Sequence, residues 1–571
     1  MNVNKLTAPW CFLLIFISAN AQVFAPKNYP QGYFIWPVLA KHALAANFGE
    51  LRPNHYHMGL DCKTDQHENV PVVAAADGYI AKVKIEPFGF GRCIYINHPN
   101  GYTTLYAHLN AFFPALEKYI TALQYKQESW KIFVDIPEGL FTVKQGQLIA
   151  HSGNTGGSQG PHTHFEIRDT KTDKVLNPFL FGLKLPDNIA PDIHRLTMYD
   201  RCVSTYEQSP KFYTLKNING VYTTVPAILI ANTDKVSFGI GATDRVNGSP
   251  HPYGIYEAIL SDNERPVVGF QIDSISYDET RYVNAHIDYK LRSGGGSFVQ
   301  HLSRLPGYPE GVYKQVSGDG VIDLTDDSVH NIKIAVKDAA GNTSLIKFSV
   351  QRGSPAKSNS AANTAVLPTQ SEFRPGFINV FENDKVCVYL KEQCLYDSFR
   401  FVYKEINPEA DFPVYQIHNT SVPLQTKLLL QIKNTSALHQ DKMVMHRFAG
   451  SKNDYSKAVY AGGCYTAYFK EFGSFQLLED MVLPVITPVG FRDGMNTAKL
   501  NRLAFVISDN TEELENFAAT LDGKWVRFSN DKGKIFIYKF DEHCLPGKHE
   551  LKISVADCVG NTTEKIYHFT R

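Results

Sequence analysis

Residues 146–169 read "GQLIAHSGNTGGSQGPHTHFEIRD": a short apolar run, a glycine-rich loop, then a run in which side chains alternate in character. Short runs of this kind bounded by Gly clusters are strand signals, so the segment reads as strand, loop, strand. On the second strand His162 and His164 are two apart. Alternation across a pleat then puts both imidazoles on one face. Working outward, "VPVVAAADGYIAKVKI" (70–85) mixes apolar alternation with an Asp77-Gly78 turn. "CIYINHPNGYTTLYAHL" (93–109) places two β-rich runs about an Asn-Gly turn and ends near His108. Upstream, "NHYHMGLD" (54–61) sets His57 and Asp61 four apart around Gly59. That spacing would share a helix face, but Gly59 and the flanking Pro53 and Pro71 disfavour a helix. Residues two and four apart also share a face in an extended chain. The expectation is that His57, Asp61, His108, His162 and His164 all sit on β elements of one N-terminal unit. His55, His67, His98 and His151 read as ordinary surface or core histidines, His98 as a buttress of the sheet.

The rest of the composition narrows the class. The 571 residues exceed one core and predict about three to five domains. Lys plus Arg equals Asp plus Glu at 57 each, which argues against a basic nucleic-acid binder. Lys5, the apolar "APWCFLLIFIS" and "ANA" (19–21) form a secretory signal pattern, so the mature chain is expected to begin near Gln22 as an exported protein. The apolar run is too short to span a bilayer. Cys11 lies inside it, not behind a small-residue cleavage motif, which argues against a lipid anchor. Eight further cysteines follow, with no C-x-x-C pair. They predict buried thiols with one or two structural bridges.

Beyond residue 185 short β-rich runs alternate with Gly, Asn, Asp and Pro clusters, the pattern of β-sandwiches. "HNIKIAVKDAAGNTS" (330–344) and "HELKISVADCVGNTT" (549–563) align without gaps, an internal repeat. Each reads as an inner-face strand entering a tight turn whose Asp and Asn bond turn backbone. "GSPAKSNSAANTAVLPTQSE" (353–372) reads as a linker. "GGSQG" (156–160) matches the serine-hydrolase pattern, but that motif works only at a strand-to-helix elbow. Here a strand follows, so the match is read as accidental.

The motifs "HMGLD", "YAHL", "SGNTG" and "HTHFEIR", in this order, resemble the lysostaphin-type, LytM-like zinc endopeptidases of bacterial peptidoglycan. The resemblance spans about residues 45 to 180. It implies a mainly β chain with an N-terminal β-sheet peptidase domain of the duplicated hybrid motif type, followed by Ig-like β-sandwiches. The expected boundaries are a signal peptide at 1–21, the peptidase domain at 22–184 and an Ig-like domain at 185–352. A flexible linker at 353–374, a β-rich domain at 375–480 and a second Ig-like domain at 481–571 complete the chain. The resemblance further implies one zinc ion held by His57, Asp61 and His164, with His108 and His162 as catalytic histidines. Three N/O ligands leave a fourth position open, the arrangement of catalytic zinc. No H-E-x-x-H occurs, so histidine takes the proton work often done by glutamate. Which of His108 and His162 is the base stays open.

The function implied is that of an exported zinc endopeptidase acting on peptidoglycan cross-bridges or stem peptides, in the periplasm, at the cell surface or secreted. The alternative is a non-cleaving cell-envelope binding or scaffold protein that uses the peptidase fold to recognise wall peptides or a partner, and the C-terminal β domains are read as a further place for an envelope protein partner. No nucleic acid and no membrane span are expected. Residues 111–137 read as an insertion, an amphipathic helix followed by an alternating strand. Two roles are weighed for it: a wall of the cleft with Tyr125 and Trp130 as substrate contacts, or a cover for an exposed sheet edge.

Overall fold

The computed structural model describes residues 23–25, 27–353, 371–433, 439–512, 514–533 and 535–571. The signal sequence read at 1–21 and most of the linker read at 353–374 lie outside the described residues. The chain is mainly β. In the N-terminal unit seven antiparallel strands line up in the order Leu44–Ala46, Leu60–Lys63, His162–Asp169, Tyr102–Ala107, Arg92–Asn97, Gly78–Ile85 and Ile132–Asp135. A three-stranded sheet of Pro71–Val73, Leu148–Ser152 and Leu109–Phe112 accompanies it. The alternating apolar residues Ile80, Val83, Ile94, Ile96, Tyr106, Phe165 and Ile167 form the core of this unit.

Register positions the site. His164 lies opposite Asp61 on one neighbouring strand and opposite Ala107 on the other. One row across three strands therefore carries Asp61, His164 and the residue just before His108. Two of the five side chains expected on strands are displaced from them. His57 follows the two-residue strand His55–Tyr56, and His108 follows Tyr102–Ala107 with φ of 60°. That conformation is uncommon for a residue with a Cβ and breaks the strand so that the ring turns inward.

The insertion begins with the helix Pro114–Gln127, its proline in the first turn as the sequence predicts. Leu116, Ile120 and Gln124 are its buried residues. The following strand Ile132–Asp135 pairs along Gly78–Ile85 and covers the sheet edge.

Downstream, twelve strands from Asp192 to Arg352 form one connected sheet system around a large apolar core. Two five-stranded sheets form the third unit, and the last unit packs a four-stranded sheet with a five-stranded one. The units are not beads on a string. The strand Val175–Leu176 pairs both with His162–Asp169 and with Ser274–Ile275, carrying the first sheet into the second unit. Phe48, Tyr56 and Met58, neighbours of His57, are buried in the second unit's core.

The disulfides expected from export are not formed among Cys62, Cys93, Cys202, Cys387, Cys394, Cys464 and Cys544, all thiols. Cys62, Cys394 and Cys544 are each packed into the apolar core of a different unit, beyond the reach of a bridge. Among the described residues no helix is long and apolar enough to cross a membrane.

Candidate functional site

His57, Asp61 and His164 each direct one ligand atom to a common point, all within 4.8 Å of one another. His57 Nε2 is 3.0 Å and His164 Nδ1 is 3.0 Å from Asp61 Oδ1, and the two ring nitrogens are 3.2 Å apart. His162 Nε2 approaches the same carboxylate oxygen at 3.3 Å. The His108 ring completes the group, 4.8 Å from that of His162 and 5.9 Å from that of His164. All five side chains singled out in the sequence are thus brought together. Gly59 is explained by the same geometry: a Cβ there would stand 2.5 Å from the Phe165 carbonyl oxygen and 2.8 Å from His164 Nε2. Only glycine lets the 57–61 segment lie this close to the His164 strand.

Each histidine is oriented by its other nitrogen. His57 Nδ1 donates to the Asn47 carbonyl at 2.7 Å, leaving Nε2 for the site. His108 Nδ1 donates to the Thr155 carbonyl at 2.8 Å, and His162 Nδ1 to the Gly160 carbonyl at 2.8 Å. His164 Nε2 donates to Glu166 Oε1 at 2.9 Å, leaving Nδ1 for the site. Outer-shell acceptors of this kind fix the tautomer and raise the basicity of a metal-binding imidazole. Glu166 is itself held by Arg168 at 2.7 Å and by the Tyr277 hydroxyl of the second unit at 2.5 Å.

The charges follow. Burial would raise the Asp61 carboxyl, but the charge of His57 and hydrogen bonds from His162, His164 and His57 hold it well below the usual range. Burial would lower His164, yet hydrogen bonds and charge from Asp61 and Glu166 raise it to about 9. Burial, then repulsion from His162 and His164, brings His108 down to about 3, so it is neutral at neutral pH. Glu166 is held at about 2, Arg168 and His164 outweighing its burial.

Several supporting residues escaped the sequence reading. Glu166 lies two residues past His164 and hence on the same strand face, a signal that alternation carried. Asn47, Thr155 and Gly160 act through main-chain carbonyls, which leave no side-chain signature. Ser158 is indeed no elbow nucleophile: its hydroxyl donates to the Gly160 carbonyl at 2.6 Å and lies 3.2 Å from His162 Nδ1. It belongs to the support of His162.

The last unit reaches this site. Asp531 Oδ1 accepts from the Gly156 amide at 2.7 Å. The Lys532 ammonium donates to the Ser158 carbonyl at 2.6 Å and Asn154 Oδ1 at 3.1 Å. The Lys532 amide donates to the Pro87 carbonyl at 2.8 Å. Arg527 donates to Thr121 and Gln124 of the insertion helix at 2.9 and 3.0 Å. Tyr125 bonds Asp541 and stacks on His543 with ring centroids 4.0 Å apart. The helix is thus a docking platform for the last unit, with Tyr125 occupied by that contact.

Residues 55–123 match the family model "Peptidase family M23", and residues 373–480 match "Zu5-like domain". The chain is 30% identical over 203 residues to DD-carboxypeptidase/endopeptidase Mpg of Neisseria meningitidis serogroup B, covering 36% of each chain. It is 29% identical over 138 residues to peptidoglycan DD-endopeptidase ShyA of Vibrio cholerae, covering 23% of this chain and 26% of that one. Among solved structures it is similar to a zinc-containing peptidase from Vibrio cholerae, at 27% identity and a TM-score of 0.18, over 24% of this chain and 37% of that one. The catalytic domain of lysostaphin from Staphylococcus simulans is similar at 23% identity and a TM-score of 0.19, over 24% and 92%. The chain spans about a third or less of the length of these curated relatives. The β-sheet unit with its His-Asp-His group is a metallopeptidase domain. Within it, residues 55–123 carry the match to Peptidase family M23, and β-rich units including one that matches a Zu5-like domain follow it.

Proposed function

We propose that the chain is an exported zinc endopeptidase that hydrolyses peptide bonds in bacterial peptidoglycan, in cross-bridges or stem peptides. The observation that carries this reading is the convergence of His57, Asp61 and His164 beside two further histidines, each with an oriented ring nitrogen. Two imidazole nitrogens and a carboxylate oxygen form a donor set that suits zinc with an open coordination position. His57 Nε2, Asp61 and His164 Nδ1 would hold the ion. Zinc, when bound, supplies Lewis acidity for a scissile carbonyl and makes water more acidic. The chain's own contribution is then positioning and proton handling. His108 is neutral, its Nδ1 proton tied to Thr155, which leaves Nε2 to accept a proton. His162, steadied by Gly160 and Ser158, faces the same space from the other side. The substrate class rests on the named relatives, one of which is a peptidoglycan DD-endopeptidase by name and the other a DD-carboxypeptidase/endopeptidase.

His164→Ala is expected to lose the metal while the C-terminal units stay folded. His108→Ala and His162→Ala are expected to keep zinc and lose about 10²- to 10⁴-fold in turnover, as for removal of a general acid or base. Elemental analysis and chromatography of digested, purified wall peptides would check both. Full zinc occupancy in His164→Ala would overturn the ligand set. A zinc-loaded wild type that cuts no wall peptide would replace hydrolysis with recognition as the role of this fold.

A further inference from the structure

Two carboxylate groups of three, in different units, are built alike. Asp187, Asp244 and Asp338 each bring one oxygen within 4.8 Å of the others, and so do Asp480, Asp509 and Asp557. The match extends to several of their neighbours. Asp338 and Asp557 are the aspartates of the two repeats, each accepting from the amide of the repeat asparagine at 2.9 Å. The side-chain amide of that asparagine donates back to the aspartate at 2.7 Å in one unit and 2.8 Å in the other. It also points at the carbonyl of Asp187 in the first unit and of Asp480 in the second, at 3.5 and 2.8 Å. Ser344 donates to the Pro191 carbonyl and Thr563 to the Pro484 carbonyl, both at 2.6 Å. Asp244 directly follows the strand Lys235–Thr243, and Asp509 directly follows Arg502–Ser508.

Turn bonds hold Asp338 and Asp557, and backbone amides of Ile189, Val482 and Thr511 also engage one oxygen each of Asp187, Asp480 and Asp509, yet other oxygens are left over. Asp244 is only 5% exposed and Asp480 only 2%. Asp244 Oδ1, Asp480 Oδ2 and Asp509 Oδ1 are buried oxygens with no hydrogen-bond partner among the described residues. No Lys, Arg or His forms an ion pair with any of the six carboxylates among the described residues. A buried unpaired carboxylate is costly, and three together more so, unless a cation joins them.

We infer that each triad is a binding site for a hard divalent cation of the calcium class. Oxygens on opposite sides of a calcium ion at its usual 2.3–2.6 Å stand about 4.6 to 5.2 Å apart, and the three oxygens of each triad, all within 4.8 Å of one another, fit inside that span. All-oxygen donors select calcium over zinc, and protein cages without bound phosphate rarely hold magnesium. The location gives the ion a task. Asp187 lies in the segment that leaves the M23 unit, and Asp480 is the last residue of the Zu5-like match. The first triad borders a small cavity that Asn47 and Phe48 of the N-terminal unit also line. Each ion would tie the strand entering a β-unit to two loops of that unit, fixing the junction.

The test is calcium binding by the full zinc-loaded chain, measured by equilibrium dialysis with radioactive calcium up to about 5 mM, which covers weak protein sites. Two calcium ions per chain are expected, with one lost in Asp244→Asn, one in Asp509→Asn and both in the double variant. Calcium should raise the thermal midpoint of the wild type and leave that of the double variant unmoved. Should Asp244→Asn fail to fold, Asp187→Asn, in the partly exposed linker, replaces it. No calcium bound by the wild type, unchanged stoichiometry in a folded double variant, or equal binding of magnesium would each overturn the assignment.

Discussion

At the scale of single residues, the site is a balance between one buried carboxylate and the protons of three histidines. His164, raised to about 9 by Asp61 and Glu166 against its burial, is protonated at neutral pH in metal-free protein. Its folded value lies above the ordinary value of about 6.5, so its contribution to stability is full below about pH 6.5 and is lost as pH rises through about 9. Metal must displace the same proton. Apparent zinc affinity is therefore expected to rise about tenfold per pH unit across this window and to level off above about pH 9. Titration against a competing chelator at a series of pH values would measure it, and a flat profile would contradict the protonation of His164. The identities of His57, Asp61, His108, His162 and His164 were legible in the sequence because chemistry-bearing side chains announce themselves. Asn47 and Thr155, which act through carbonyl groups, could not be.

At the scale of elements, strand alternation does most of the positioning. The His162–Asp169 strand presents His162, His164, Glu166 and Arg168 on one face. Glu166 closes a chain from the Tyr277 hydroxyl through the carboxylate to the His164 ring. Loss of such a second-sphere carboxylate typically costs about 10- to 100-fold in metal affinity. Glu166→Gln is expected to fall in that range and Tyr277→Phe to lose less, with zinc affinity as the readout. Equal affinity in wild type and Glu166→Gln would remove this chain from the design. The insertion divides between its two elements. Its strand covers the sheet edge, as one reading held, while its helix carries Arg527 and Asp541 of the last unit. Helix periodicity was visible in Leu116 and Ile120, but the partner of the outward face was not, since a docking surface has no period of its own.

At the scale of the whole molecule, the candidate metal site is assembled by three units. The segment bearing His57 is anchored by Phe48, Tyr56 and Met58 in the second unit's core, and the Tyr56 amide donates to Thr280 at 2.9 Å. The Asp531–Lys532 turn of the last unit holds the glycine-rich loop that supports His162. This turn clamps the loop beside His162, so releasing it is expected to loosen that side of the site. Two polar contacts at about 1 kcal/mol each correspond to a shift of roughly 10- to 30-fold in the open population. The double variant Asp531→Ala, Lys532→Ala is expected to raise kcat/KM toward small soluble wall peptides by up to that factor with zinc content unchanged. Steady-state kinetics on one defined peptide would decide it, and a lower or equal kcat/KM would make the turn a scaffold for the loop.

The sequence by itself determined the mainly β class, the order of the site motifs, the start of the inserted helix and the turn role of the D-x-x-G-N repeats. Each of these is written in local spacing: alternation for strands, a proline at a helix start, glycine where backbones meet. Tertiary structure alone decided that His57 and His108 leave their strands, that Cys62, Cys394 and Cys544 lie in different cores, and that a distant lysine grips the glycine-rich loop. It also gathered Asp187, Asp244 and Asp338, and likewise Asp480, Asp509 and Asp557, from strand ends far apart in the chain. The physical reason is common to all. Contacts between residues tens to hundreds of positions apart depend on how sheets pack, and no local pattern of side chains encodes that packing.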